Sequence, residues 1–154
     1  MSMLEKLIVE NYMYQEENNF AKGEYEMKKL FVSVPMKGRT EEEIKASIQK
    51  MKKIAEIYEG EELELIDSYI EDNPPKDSNE GVWYLGESLK KLAQADVFIG
   101  IDKEYDWNDC YIERHTAQRY GVKTYTASAR YVIDDYNALV RKLYPADGGI
   151  MPII

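Results

Sequence analysis

Two short stretches of the chain combine charged side chains with turn-forming residues. The first, VPMKGRT (residues 34–40), places Lys37 and Arg39 on either side of Gly38, directly before a helical pattern. Glycine permits a tight turn, and the two cations would stand beside the free amide groups of a helix N-terminus. This combination favours an anion-binding loop, although an ordinary loop with two solvated basic side chains would have the same sequence.

The second stretch, DWNDCYIERHTAQRYG (residues 106–121), contains Glu113. We expect a helix from about 110 to 120, ended by Gly121, with Glu113 in its first turn. A carboxylate there would point toward a cleft at the helix N-terminus. It could stabilise or capture a developing positive charge on a bound substrate.

The hydrophobic pattern around these stretches alternates between strand and helix. Short apolar runs predict strands over 28–35, 62–70, 95–102 and 122–128. Helical spacing predicts helices over 40–58, 82–94, about 110–120 and 131–144, and Thr40 with Glu43 forms a capping box at the first of them. The prediction is a doubly wound α/β fold with a mostly parallel sheet of four to five strands and helices on both faces, a flavodoxin-like or Rossmann-like three-layer sandwich. In such a sheet both stretches lie at the carboxyl edge, where ligands bind.

Composition narrows the classes of function. The chain has 154 residues, enough for one domain with a real core. Its formal charge of −9 argues against binding of a nucleic acid polymer or an anionic membrane surface. The single cysteine, Cys110, and the lack of a signal-type or membrane-spanning apolar run predict a cytoplasmic protein.

The order of motifs resembles the nucleoside 2-deoxyribosyltransferase superfamily, which also contains nucleoside 5'-monophosphate N-glycosidases. FVSVPMKGR, LAQADVFIGID and the pattern IE...A..YG carry the resemblance, over roughly residues 29–128. It is nearest to an uncharacterised bacterial and phage branch. The resemblance implies that Glu113 attacks the anomeric carbon of a nucleoside or nucleoside 5'-monophosphate, a reaction that requires no cofactor. No metal site is expected, since His115 is the single histidine. The resemblance also implies that the first loop holds the sugar or its phosphate through Ser33, Pro35, Met36, Lys37, Gly38 and Arg39.

The chain departs from the family at the second acid. Family members have an aspartate early in the helix before the third strand, and Ser88 falls at that position here. Asp72, Asp102 or Asp106 could substitute from neighbouring loops. Trp107, in a polar loop near Glu113, is a candidate to cover a nucleobase, with core packing as the alternative. Asp109 stands where relatives have small residues that hold phosphate.

Three functions remain open at this point. The chain could cleave or transfer an N-glycosidic bond, or it could be an inactive nucleotide-binding or sensing module. It could also be an interaction protein that works through residues 1–27, an extension of helical or partly disordered character before the domain at 28–154. We further expect a homo-oligomer in which the apolar tail at 150–154 docks on a neighbouring subunit.

Overall fold

The fold is described from a computed structural model of the chain, which describes residues 2–9, 26–103 and 107–143. Most of the extension at 1–27 therefore lies outside the described residues. Asp106 and the tail at 150–154 lie outside them entirely. No helix in the described ranges is both long enough and apolar enough to span a membrane.

A four-stranded sheet forms the centre of the fold, and all its strands are parallel. The strands are β1 (Lys29–Val32), β2 (Glu64–Leu65), β3 (Val97–Ile101) and β4 (Lys123–Ala127), in the order β2-β1-β3-β4. In register, Phe31 lies beside Phe98 and Ile99 beside Tyr125. The sheet places the carboxyl ends of β1 and β3 next to each other.

Six helices occur in the described residues. They are α1 (residues 3–9), α2 (Glu41–Glu59), α3 (Glu80–Leu92), α4 (Asn108–Arg119), α5 (Ala129–Val132) and α6 (Tyr136–Leu143). The predicted capping box at Thr40 and Glu43 is present at the start of α2. Gly121 follows α4 with a φ of 79°, a conformation that glycine adopts without strain.

Alternate residues along each strand point to opposite faces of the sheet, and each face has its own core. On one face, strand residues such as Leu30, Val32 and Ile99 pack with Met51 of α2 and with α5 and α6. On the other, Phe31 and Phe98 stack at 5.8 Å and pack against Leu92 of α3 and Ala117 of α4. The predicted doubly wound α/β class, with helices on both faces of a parallel sheet, is confirmed.

Several element predictions were wrong in extent. The first strand, expected over 28–35, is confined to Lys29–Val32, and two other elements differ more. The strand expected over 62–70 is confined to Glu64–Leu65, because the Asp67 side chain accepts a hydrogen bond from the Tyr69 amide and turns the chain. The single helix expected over 131–144 is two helices, since Ile133 is extended and Asp134 pairs with Lys50. Aspartate is more favourable at helix starts than in helix interiors, so α6 begins only after Asp134 and Asp135.

Candidate functional site

A cavity of about 490 Å³ opens at the carboxyl edge of the sheet. Its volume is within the range of small-molecule binding sites. The walls come from the ends of β1, the loop after β2, α3, the start of α4 and the end of α6. The lining residues are Phe31, Val32, Val34, Pro35, Met36, Lys37, Ser68, Ile70, Tyr84, Ser88, Trp107, Asn108, Asp109, Cys110, Glu113 and Leu143.

Glu113 is the most buried charged residue of the cavity wall, with 7% of its surface exposed. Its Oε1 accepts a hydrogen bond of 2.7 Å from the Ser33 hydroxyl at the end of β1. Its Oε2 accepts a second hydrogen bond from the Ser88 hydroxyl on α3. The carboxylate is therefore held in one orientation by two elements other than its own helix.

The position of Glu113 within α4 differs from the prediction. The helix begins at Asn108, two residues earlier than expected, so Glu113 lies in the second turn and Asp109 in the first. Burial raises the pKa of Glu113, and the two serine hydrogen bonds act against this by stabilising the charged form. The negative charge of Asp109 raises the pKa of Glu113 further.

Asp109 lies one turn before Glu113 on the same helix and also lines the cavity. The residue is solvent-accessible, yet neighbouring protein removes enough water from the carboxyl to raise its pKa. The cavity wall thus carries two carboxyl groups with raised pKa values. A raised pKa keeps a carboxyl closer to its protonated form, as general acids require.

The first loop, which follows β1, reaches the cavity through Pro35, Met36 and Lys37. Gly38 has a φ of 76°, and its carbonyl accepts a hydrogen bond of 2.9 Å from the Lys142 ammonium of α6. A Cβ at this position would lie 3.4 Å from Leu143. The loop therefore favours glycine for its left-handed backbone conformation, since a Cβ would make only ordinary contact with α6.

Arg39 does not line the cavity. Its guanidinium donates to the carbonyl oxygens of Pro35 and Glu43, at 2.9 Å and 3.1 Å, and to the Ser47 hydroxyl at 2.6 Å. These bonds tie the first loop to α2. Contact between Arg39 and a substrate phosphate stays a prediction, and it would require the guanidinium to exchange these partners.

Trp107 is both a wall of the cavity and a part of the core, with 7% of its surface exposed. Its ring meets that of Tyr136 edge-on, with centroids 6.4 Å apart. The indole Nε1 has no hydrogen-bond partner within the described part of the chain. Trp107 is placed to contact an apolar ligand face, and its contact with a nucleobase stays a prediction.

Ser88 lies beside Glu113, and its hydroxyl donates a hydrogen bond to the carboxylate, so this residue does not supply a second acid. Of the alternative aspartates, Asp72 does not line the cavity, and Asp102 accepts a hydrogen bond from the Ala129 amide at 2.8 Å. Asp102 thereby stabilises the start of α5.

Nine residues that line the cavity were not named as site residues from the sequence: Phe31, Val32, Val34, Ser68, Ile70, Tyr84, Asn108, Cys110 and Leu143. Ser68 and Ile70 follow β2 and so lie at the same sheet edge as the first loop, which is a signal that the sequence did contain. His115 packs on Tyr111 at a centroid distance of 4.2 Å, on a separate surface of α4. Over residues 2–9, 26–103 and 107–143, no group of three or more His, Cys, Asp or Glu side chains could hold a metal ion.

Comparison with known proteins gives a weak structural likeness and no family. No family model matches the sequence, and no curated protein matches it. The crystal structure of a conserved protein from Enterococcus faecalis V583 is similar over 84% of this chain and 82% of that chain. The two share 12% sequence identity, and the TM-score is 0.46.

Proposed function

We propose that the protein binds a nucleoside or nucleotide in this cavity and cleaves or transfers its N-glycosidic bond through Glu113. One observation carries the proposal. Glu113 is buried in the wall of a cavity suited to a small molecule, and two hydroxyl groups fix both of its oxygens. The resemblance to nucleoside 2-deoxyribosyltransferases supplies the substrate class.

The chemistry of N-glycosidic cleavage matches a fixed carboxylate. The bond between C1' and the base nitrogen breaks with its electron pair moving to the base, and positive charge develops on the sugar. A Glu113 oxygen would bond to C1' and give a covalent glycosyl ester. Water in a hydrolase, or a second base in a transferase, would then attack C1' and release Glu113.

The remaining walls suit the other parts of such a substrate. Phe31, Val32, Tyr84 and Trp107 offer apolar and aromatic surface for the base and the sugar ring. Lys37 is exposed at the cavity, where its ammonium could contact a 5'-oxygen or a 5'-phosphate.

The proposal is tested by trapping the glycosyl enzyme. The protein is incubated with a panel of nucleosides and 5'-monophosphates, and free base is measured by chromatography. A 2'-fluoro analogue of the preferred substrate is then added, because the fluorine slows hydrolysis of the ester. We expect an increase in protein mass equal to the fluorosugar, located on the peptide that contains Glu113.

The matched control for trapping is Glu113→Gln, which is nearly isosteric and should neither release base nor gain mass. Base release by this variant at the wild-type rate would reject Glu113 as the nucleophile. Absence of base release by the wild-type protein across the whole panel would reject the enzyme function.

A binding or sensing module is the second candidate, and the Ser88 hydroxyl favours it. An active glycosidase normally has a second acid, and Ser88 stands where the family has one. This alternative predicts saturable binding of nucleosides or nucleotides in calorimetry, with no base released. An interaction role for residues 1–27 and a homo-oligomeric state stay predictions, since residues 10–25 and 144–154 lie outside the described ranges.

A further inference from the structure

We infer that Asp109 is the general acid that protonates the departing base, in place of the aspartate that Ser88 replaces. This inference rests on the proposed function of Glu113. It assigns a catalytic role to a carboxyl that the family pattern does not use as an acid at this position.

The geometry of α4 supports the assignment. Asp109 and Glu113 are separated by one helical turn, and residues at this spacing are neighbours with Cβ atoms roughly 5–6 Å apart. Both side chains line the same cavity. Enzymes that cleave glycosidic bonds through a covalent intermediate use two carboxyl groups beside one substrate, one as nucleophile and one as acid.

The two carboxyl groups have different environments, as their two roles require. Burial raises the pKa of Glu113, but two hydroxyl groups hold both of its oxygens and act against this by stabilising the ionised form. Asp109 is solvent-accessible, and its pKa is raised by partial burial. A carboxyl with a raised pKa and access to solvent can give up a proton and regain one from water.

The other titratable groups that line the cavity are few. They are Lys37 in the first loop, Tyr84 on α3 and Cys110 on α4. Of these only Lys37 is cationic at neutral pH, and a nearby cation would favour the ionised form of Asp109. Burial is the cause of the shift in the Asp109 pKa, and Lys37 does not contribute to it.

Each step of the reaction conserves atoms and charge. As Glu113 bonds to C1', the bond between C1' and the base nitrogen breaks, and the Asp109 carboxyl transfers its proton to the base. The ionised Asp109 then takes a proton from water, whose oxygen bonds to C1' as the ester to Glu113 breaks. The products are the free base and the sugar, and both carboxyl groups return to their initial forms.

The test uses substrates that differ in their need for a proton. The preferred nucleoside is compared with a form whose base leaves more easily, either a 7-methylated purine or a 5-fluorinated pyrimidine. We expect Asp109→Asn to lower kcat/KM about 100-fold or more on the preferred nucleoside. The activated substrate needs much less help, so the loss on it should be several times smaller.

Two further variants make the outcome unambiguous. Asp109→Ser also removes the carboxyl but leaves a small polar side chain, and it should show the same pattern if Asp109→Asn folds poorly. Asp72→Asn removes an exposed carboxylate that does not line the cavity, and it should not change either rate.

Equal losses on both substrates in the two Asp109 variants would overturn the assignment of the acid and leave Glu113 as nucleophile intact. The same would follow if Asp72→Asn showed the selective loss instead. If the wild-type protein cleaves neither substrate, the proposed function itself is rejected, and the role of Asp109 with it.

Discussion

The Ser33 hydroxyl donates a hydrogen bond of 2.7 Å to Oε1 of Glu113, which links the end of β1 to α4 across 80 positions of the sequence. This bond joins the first loop to the residue that we propose as nucleophile. Because a hydroxyl donor stabilises the ionised carboxylate, the contact acts on charge as well as on position.

We expect Ser33→Ala to raise the pKa of Glu113. The variant loses a hydrogen bond that favours the ionised form, while burial continues to favour the protonated form. The midpoint of the acidic limb of kcat/KM should therefore move to higher pH, and a carboxyl NMR titration should move in the same direction. Ser78→Ala, in an exposed loop, is the control and should leave the midpoint in place. A lower midpoint in Ser33→Ala would contradict the account.

The Glu113→Gln variant should be more stable than wild type at neutral pH, although turnover is lost. Burial raises the pKa of Glu113 in the folded state above its unfolded value. The stability associated with the protonated group is fully present below the unfolded pKa and is lost as pH rises through the folded pKa. Glutamine carries no charge, so it avoids this loss.

Urea unfolding of Glu113→Gln and wild type at pH 7 and pH 4 measures the effect. The free energy of unfolding of the variant should exceed that of wild type at pH 7, and the difference should shrink at pH 4. A gain of equal size at both pH values would exclude ionisation as its cause.

Much of the fold follows from the sequence, because the apolar period changes clearly between strands and helices. The start of α2 was also predictable, since Thr40 and Glu43 form a capping box that depends only on local spacing. Pairs of this kind act within one turn of helix. The residue types at the two positions are therefore enough to predict the capping hydrogen bonds, without knowledge of the tertiary structure.

The details of the site were less predictable. A helix turns by about 100° per residue, so a start two residues early changes which side chains occupy the first turn. This is why Asp109, and not Glu113, lies in the first turn of α4. The orientation of the Arg39 side chain could not be predicted either. One of its hydrogen-bond partners is the Ser47 hydroxyl, which lies beside it only once α2 has formed.

The hydrogen bonds of Arg39 lead to a prediction about ligand selectivity. Arg39→Lys keeps the charge but cannot reproduce the contacts to Pro35, Glu43 and Ser47 together. We expect it to lower the free energy of unfolding by about 1.5–3 kcal/mol and to weaken nucleoside and 5'-monophosphate binding by similar factors. Lys37→Met is the matched variant, and it should weaken the monophosphate more than the nucleoside. A selective loss of monophosphate binding in Arg39→Lys, measured by calorimetry, would instead support direct phosphate contact.

The last prediction concerns Glu59, at the opposite end of the sheet from the cavity. Its side chain is 1% exposed, and its carboxylate pairs with Lys28 at 3.0 Å and with Lys123 at 2.8 Å, while the Tyr125 hydroxyl donates to it. Burial alone would raise the pKa of Glu59, but these three partners outweigh burial and lower it to about 2. A carboxyl with a lowered pKa in the folded state stabilises the protein above its unfolded pKa, near 4.5, and loses this contribution as pH falls toward 2. The contribution at neutral pH is roughly 2–3 kcal/mol, allowing for the solvent exposure of both lysines.

Glu59→Gln should therefore unfold at lower urea concentration than wild type at pH 7, and the two curves should converge as pH falls from about 4.5 to about 2. Glu62→Gln, an exposed neighbour, should follow wild type throughout. A difference between Glu59→Gln and wild type that stays constant from pH 7 to pH 2 would show that the carboxylate charge is not what stabilises this end of the sheet.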